Sequence, residues 1–141
     1  MRLAAMVVLL ILTSHAMGYY DIHITKRTEW SDKSGPAITL EDWKKLLAAD
    51  SEMRLDGAAE AVTPDGKKLR VENEGLAVWI KWSKHGRNDN MAWFYYFEGD
   101  VTVKNPDKEI FGKMFRIAEK LGARLQGDEG EFYNARGEVL K

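Results

Sequence analysis

Residues 19–26 alternate Tyr20, Ile22 and Ile24 against Asp21, His23 and Thr25. A period of two predicts a half-buried strand with one apolar and one polar face. After the loop Ser31–Pro36 the period changes. Leu40, Trp43 and Leu47 recur at helical spacing, so one face of a helix is apolar over about three turns. Thr39 can cap the free N–H groups of its first turn, Asp42 stands as a short capping-box acid, and Ile38 and Trp43 occupy the two staple positions.

From Leu55 to Val103 the pattern is one of strands and tight turns. Thr63-Pro64-Asp65-Gly66 is a turn, because proline presets its own φ and glycine accepts a positive one. Leu69 and Val71 alternate with Lys68, Arg70 and Glu72, and then Leu76, Val78, Ile80 and Trp82 fall on one face with Ala77 and Trp79 on the other. Met91–Phe97 is apolar or aromatic on both faces, the mark of a covered central strand. Glu98-Gly99-Asp100 turns it into Val101–Val103.

Asn105-Pro106-Asp107 predicts a second helix start, with Asn105 as cap, proline at the first helical position and an acid near the positive end of the dipole. Ile110, Met114, Ile117 and Leu121 form its buried stripe, and Gly122 is placed to end it in a left-handed conformation. Gly112 is read as a close approach to the sheet. A short strand at Ala123–Gln126 follows, then an acidic loop at 127–131 and a last hairpin, Phe132-Tyr133 with Glu138–Leu140. The predicted order is β-α-β-β-β-β-α-β with an optional C-terminal strand. Runs of antiparallel strands without βα alternation place the chain in the α+β class, both helices packed on one face of the sheet.

Composition agrees with one globular unit: 141 residues, 45% hydrophobic and 30% charged. The net charge of -1 gives no broad positive field, so nucleic acid is not the expected partner. The absence of cysteine excludes disulfides and thiolate chemistry. Residues 1–16 have the layout of a signal peptide: Arg2, a ten-residue apolar run, and Ser14-His15-Ala16 with small residues at -3 and -1. Two readings stand. A cleaved leader sends a domain of residues 17–141 to the periplasm or outside, whereas translation from Met17 keeps it in the cytoplasm. The run is too short for a permanent membrane anchor.

Candidate chemistry is sparse. His23 lies two residues from Asp21 on the polar face of the first strand, an Asp-x-His pair that could orient an imidazole; the competing reading is a solvent-facing strand. The segment Ser83–Asn90 concentrates Lys84, His85, Arg87, Asn88 and Asp89 between aromatic-rich strands, with Trp82 and Trp93 beside it. Loops on a rigid scaffold are where recognition concentrates, and arginine and tryptophan are the usual anchors, although tryptophans at strand spacing also simply pack inward. Neither histidine belongs to a metal-ligand spacing, and no phosphate or dinucleotide glycine pattern occurs, so no cofactor or metal is expected. The acidic loop lacks the register of a calcium loop.

The stretches YYDIHIT (19–25), GLAVWIKWSKHGRNDNMAWF (75–94) and IAEKLGARLQGDEGEFY (117–133) resemble an uncharacterised family of small bacterial proteins. The resemblance implies no activity and no site residues. Its members mostly begin near YYDIHIT, which supports the Met17 start.

Three functions are therefore weighed. The first is a binding or inhibitory protein that docks on a partner such as a toxin or envelope enzyme through Trp82, Lys84, His85, Arg87, Asp89 and Trp93. The second is a small hydrolase or ligand-binding enzyme using His23 or His85 with Asp21 or Asp89. The third is a structural role in the envelope.

Overall fold

The computed structural model describes residues 20–141, so the leader-like stretch 1–16 and Tyr19 at the head of the first strand lie outside the described residues. Nine strands and two helices follow in order. They are β1 (Asp21–Thr25), α1 (Leu40–Ala48), β2 (Met53–Leu55), β3 (Ala58–Val62), β4 (Lys68–Glu72), β5 (Ala77–Trp79), β6 (Trp93–Phe97), β7 (Asp100–Lys104), α2 (Lys108–Leu121), β8 (Arg124–Gly127) and β9 (Phe132–Tyr133). Seven strands form one sheet in the order β2-β5-β6-β7-β1-β8-β9, with every neighbouring pair antiparallel. β3 and β4 pair only with each other, as a separate ribbon. The architecture is α+β, as the alternation of patterns predicts. Among the described residues no helix is long and apolar enough to cross a membrane.

The two faces of the sheet follow from strand alternation. Ile22, Ile24, Phe94, Val101, Val103 and Leu125 point to one side and bury against Trp43 and Leu47 of α1 and Ile110, Met114 and Ile117 of α2. Each such side chain removed from water contributes roughly 1.5–3 kcal/mol, so this face fixes the register of the sheet. The opposite face carries Asp21, His23 and Thr25 from β1, Trp93, Tyr95 and Phe97 from β6, and Asp100, Thr102 and Lys104 from β7. It is only partly open to solvent. The β3–β4 ribbon covers one end, packing Ala59 and Ala61 on Leu76, Val78 and Trp93, and the segment 26–36 folds over the other.

Local signals set the boundaries. Thr39 caps α1, its Oγ1 accepting from Asp42 N–H at 3.0 Å, and Ile38 and Trp43 are both fully buried at the staple positions. The cap of α2 is Asp107, not Asn105: its carboxylate accepts from Ile110 N–H at 2.9 Å, while Pro106 stays outside the helix. Asn105 instead takes φ 45° and exchanges bonds with Tyr20, its N–H donating to the Tyr20 carbonyl and its Oδ1 accepting from Tyr20 N–H. Gly122 ends α2 with φ 66°. Gly112 faces Arg116 and the carbonyl of Ala135, so its approach is to the C-terminal turn and not to the sheet.

Two strands, β2 and β3, add to the four expected between the helices. β5 stops at Trp79, earlier than the alternation suggests, and Trp82 turns away to donate its indole N–H to Asp107 at 3.0 Å. Glu98 and Gly99, at φ 48° and 91°, make the two-residue turn between β6 and β7. A side chain at 99 would stand 2.6 Å from the Ala37 Cβ, so the turn requires glycine for space as well as for φ.

Candidate functional site

The turn 80–92 that joins β5 to β6 holds the charged segment singled out in the sequence. Lys84, Arg87 and Asp89 are exposed, and a single 3-10 turn spans Arg87–Asp89. It is held by its own backbone: Arg87 N–H donates to the Lys84 carbonyl, Asn90 N–H to that of Arg87, and Gly86 N–H to that of Asn90 at 2.7 Å. Its base is pinned to α2, where Ser83 donates from both N–H and Oγ to Glu109 and Lys84 lies 3.9 Å from Asp107. Asn88 and Asp89 both adopt positive φ, 51° and 62°. Asn and Asp enter this region more readily than other non-glycine residues, so the residue types of the turn suit its backbone.

Trp82 is half-buried and committed to Asp107. His85 is half-buried too; its Nδ1 has no hydrogen-bond partner among the described residues, and no bond to Asp89 forms. Trp93 is 6% exposed and sits under the ribbon, so it is a wall and not a projecting anchor.

The turn forms one side of a groove of about 880 Å³ whose other side is β3. All five residues of β3 line it, with Gly86, Asn88, Asp89, Asn90 and Met91 opposite. A groove that meets consecutive residues runs along the edge of a strand and not over one face. The ladder fixes what that edge presents. Asn73 N–H donates to the Gly57 carbonyl and Thr63 N–H to that of Lys67, so odd-numbered residues of β3 turn their backbone groups to β4. Ala58, Glu60 and Val62 then turn theirs outward. Val62 is 61% exposed.

A second concavity, about 210 Å³, lies on the polar face of the main sheet, and its lining includes His23, Trp30, Lys33, Tyr95, Phe97 and Asp100. His23 is only 4% exposed, which overturns the reading of its face as solvated. Its carboxylate partner is Asp128, not Asp21. Nε2 lies 2.9 Å from Asp128 Oδ1 and Nδ1 lies 2.9 Å from Thr102 Oγ1. A carboxylate accepts only, so Nε2 carries the proton and Nδ1 accepts from the Thr102 hydroxyl. Burial pushes the imidazole below its ordinary range, against the upward pull of Asp128. The ring is neutral, and it stacks on Trp30 at 3.8 Å between centroids. Asp21 is engaged with the buried Lys104, 2.7 Å away.

The row Thr102–His23–Asp128 orders a hydroxyl, an imidazole and a carboxylate along a concave wall, and it also ties down the covering segment. Trp30 N–H donates to Gln126 Oε1 at 2.6 Å and its indole to the Asp128 carbonyl at 3.3 Å. Asp128 also accepts from Asp21 N–H, while Glu131 accepts from the Tyr20 hydroxyl. The acidic loop is thus a clamp on the start of β1. Among the described residues no group of three or more acidic or histidine side chains converges as for a metal ion.

Thr102, Asp128, Trp30, Lys33 and Asp100 were not anticipated. The signal for two of them was present: β7 reads Asp100-Val-Thr102-Val-Lys104, polar at alternate positions in the same phase as Asp21-Ile-His23-Ile-Thr25. Together, fold and site define a two-layer α+β protein with a partly covered second sheet face, one open groove and one small aromatic pocket. Comparison with family models, curated proteins and solved structures gives no match for the chain.

Proposed function

We propose that this is a small bacterial binding protein that docks on a partner protein, in the manner of an inhibitor or immunity protein. The observation that carries the reading is the groove itself: a braced, charged turn on one side and an unpaired strand edge on the other. Exposed edges are normally shortened, covered or paired, because they invite strand addition. Here the edge of β3 faces a channel instead. The occupant we assign is an extended segment of the partner, laid antiparallel or parallel to β3 with main-chain bonds to Ala58, Glu60 and Val62. Main-chain bonds supply affinity in such complexes, and side-chain contacts supply selectivity. Arg87 and Asp89 on the turn, with Lys68 and Arg70 on the ribbon, present both signs of charge to that segment.

Glu60→Pro removes an outward N–H while leaving the β3–β4 ladder bonds in place. Once a partner has been isolated with the wild-type chain, Glu60→Pro and Arg87→Ala are each expected to weaken it about tenfold or more. Hydrogen exchange at Ala58, Glu60 and Val62 should slow in the complex. A partner bound equally well by both variants, with no protection along β3, refutes the proposal.

A further inference from the structure

The small pocket on the polar sheet face already contains a cation, and the cation belongs to the protein. Lys33 Nζ lies 3.0 Å from Asp100 Oδ2 and 3.2 Å from the Trp30 carbonyl, with the Trp30 ring centre at 5.4 Å and that of Phe97 at 6.0 Å. An ammonium between aromatic faces and a carboxylate is the arrangement by which proteins recognise organic cations. We propose that this pocket binds short organic amines in their ammonium form, and that Lys33 is a built-in competitor that leaves when one enters.

Charge balance shows which group can leave. Asp100 is 1% exposed and already has the buried Arg27 guanidinium, whose Nη1 is 3.0 Å from the same oxygen, Oδ2. Arg27 balances the charge of the carboxylate while its Nη1 makes no hydrogen bond, so the bond from Lys33 is the one an entering ammonium replaces. Its side chain is one third exposed and sits in the covering segment, whereas Arg27 is enclosed. Exchange of one monovalent cation for another leaves the charge of the pocket unchanged, which avoids the cost of stranding a buried ion.

A second, independent observation concerns the other carboxylate oxygen. Asp100 Oδ1 is buried and accepts no hydrogen bond among the described residues, and Nε and Nη1 of the adjoining Arg27 are likewise buried without one. Unsatisfied buried acceptors are rare because each costs the full desolvation of the group. Lys33 does not reach it. A cavity of about 210 Å³ remains, walled by Trp30, Tyr95 and Phe97 with Thr102 and Asp100 among its polar groups. An amine seated there in place of Lys33 can give an N–H to Asp100 Oδ2 and place its alkyl chain against the rings. The preference follows: a primary ammonium, with N–H donors, should bind more tightly than a quaternary one of similar size. The volume suits a short amine and not a peptide.

The test is titration of the full chain with n-butylammonium and with tetramethylammonium, followed by tryptophan fluorescence and by amide shifts of residues 30, 97 and 100. Wild type is expected to bind n-butylammonium weakly. Lys33→Ala, which removes the competitor, should bind it about tenfold more tightly. Phe97→Leu in that background leaves every charge in place and should lose severalfold, and Asp100→Asn should lose saturable binding. Because Asp100→Asn disturbs a buried pair, Phe97→Leu decides the matter if that variant does not fold. Equal affinity of wild type and Lys33→Ala overturns the proposal, as does the absence of saturable binding in both or a preference for tetramethylammonium. Failure here leaves the groove along β3 untouched, since that groove shares neither Lys33 nor Asp100.

Discussion

Replacing His23 by leucine tests whether the polar face of the sheet is held together by its imidazole. The variant loses the hydrogen bond from Thr102, about 1 kcal/mol, and the bond to the Asp128 carboxylate, about 1.5–3 kcal/mol. It also loses the stack on Trp30, about 0.5–1.5 kcal/mol. Two effects offset this. Leucine recovers some buried apolar area, and Asp128, whose side chain is 32% exposed, is partly rehydrated. The expected net loss is about 2–4 kcal/mol at pH 7.5, read from urea unfolding with an unchanged slope.

The pH dependence carries a second, independent sign. His23 is pushed below 6.5 by burial, which outweighs the pull of Asp128, Asp21 and Asp100. As pH falls through 6.5 the unfolded chain takes up the proton first, so the folded state loses stability from there down to the folded value. Above 6.5 the contribution is whole. The gap between wild type and His23→Leu should therefore narrow between pH 7.5 and pH 5. A leucine variant within about 0.5 kcal/mol of wild type refutes the reasoning. So does a gap that widens on acidification, because that would mean a protonated imidazole paired with Asp128.

Two further outcomes follow from burial. Trp93→Ala should cost about 3–5 kcal/mol, for the indole supports the β3–β4 ribbon, whereas the exposed Arg87→Ala should stay within about 0.5 kcal/mol; equal losses in urea unfolding would make the turn structural. Lys113→Met should cost about 2–4 kcal/mol, because Lys113 Nζ lies 2.7 Å from the nearly buried Asp50 and 3.0 Å from Glu52. Burial raises the Asp50 carboxyl, but the Lys113 bond and the Glu52 N–H outweigh it and hold the group below 3.8. That stability is whole above 3.8 and lost as pH falls through the folded value, so the gap to wild type should close in acid titration.

Elements whose identity rests on local chemistry were legible in the sequence. The staple of Ile38 and Trp43 about Thr39, the stripe of α2, the glycine end at 122 and the covered strand β6 are all written in the spacing of residues a few positions apart, whatever they then pack against. β3 was not legible, because Ala58-Ala59-Glu60-Ala61-Val62 has three alanines and no β-branched or aromatic alternation. What makes it a strand is non-local: its partner β4 across the Thr63–Gly66 turn, and the surface of Leu76, Val78 and Trp93 beneath it. The misplaced cap of α2 has a related cause. Asn105 is as good a cap as Asp107, but Tyr20, 85 residues away, claims it.

The same division separates the two candidate sites. The turn 83–90 stands out because it is one continuous run of polar residues, and the fold leaves such runs on the surface. The pocket around Lys33 is assembled from β1, β6, β7 and the segment 26–36, and no two of its principal groups are neighbours in the chain. Its trace in the sequence is a phase relation: β1 and β7 each place polar residues at alternate positions, and antiparallel pairing of His23 with Thr102 brings the two rows onto one face. A row of polar side chains on interior strands either meets water or meets partners. Here it meets partners, through Asp128, Arg27 and Lys33, and one oxygen of Asp100 and two nitrogens of Arg27 are left without a hydrogen bond. Alternating polar residues on two strands that both lie inside a sheet therefore signal a covered polar face, and the place to look for a ligand is the acceptor on that face that the chain itself does not satisfy.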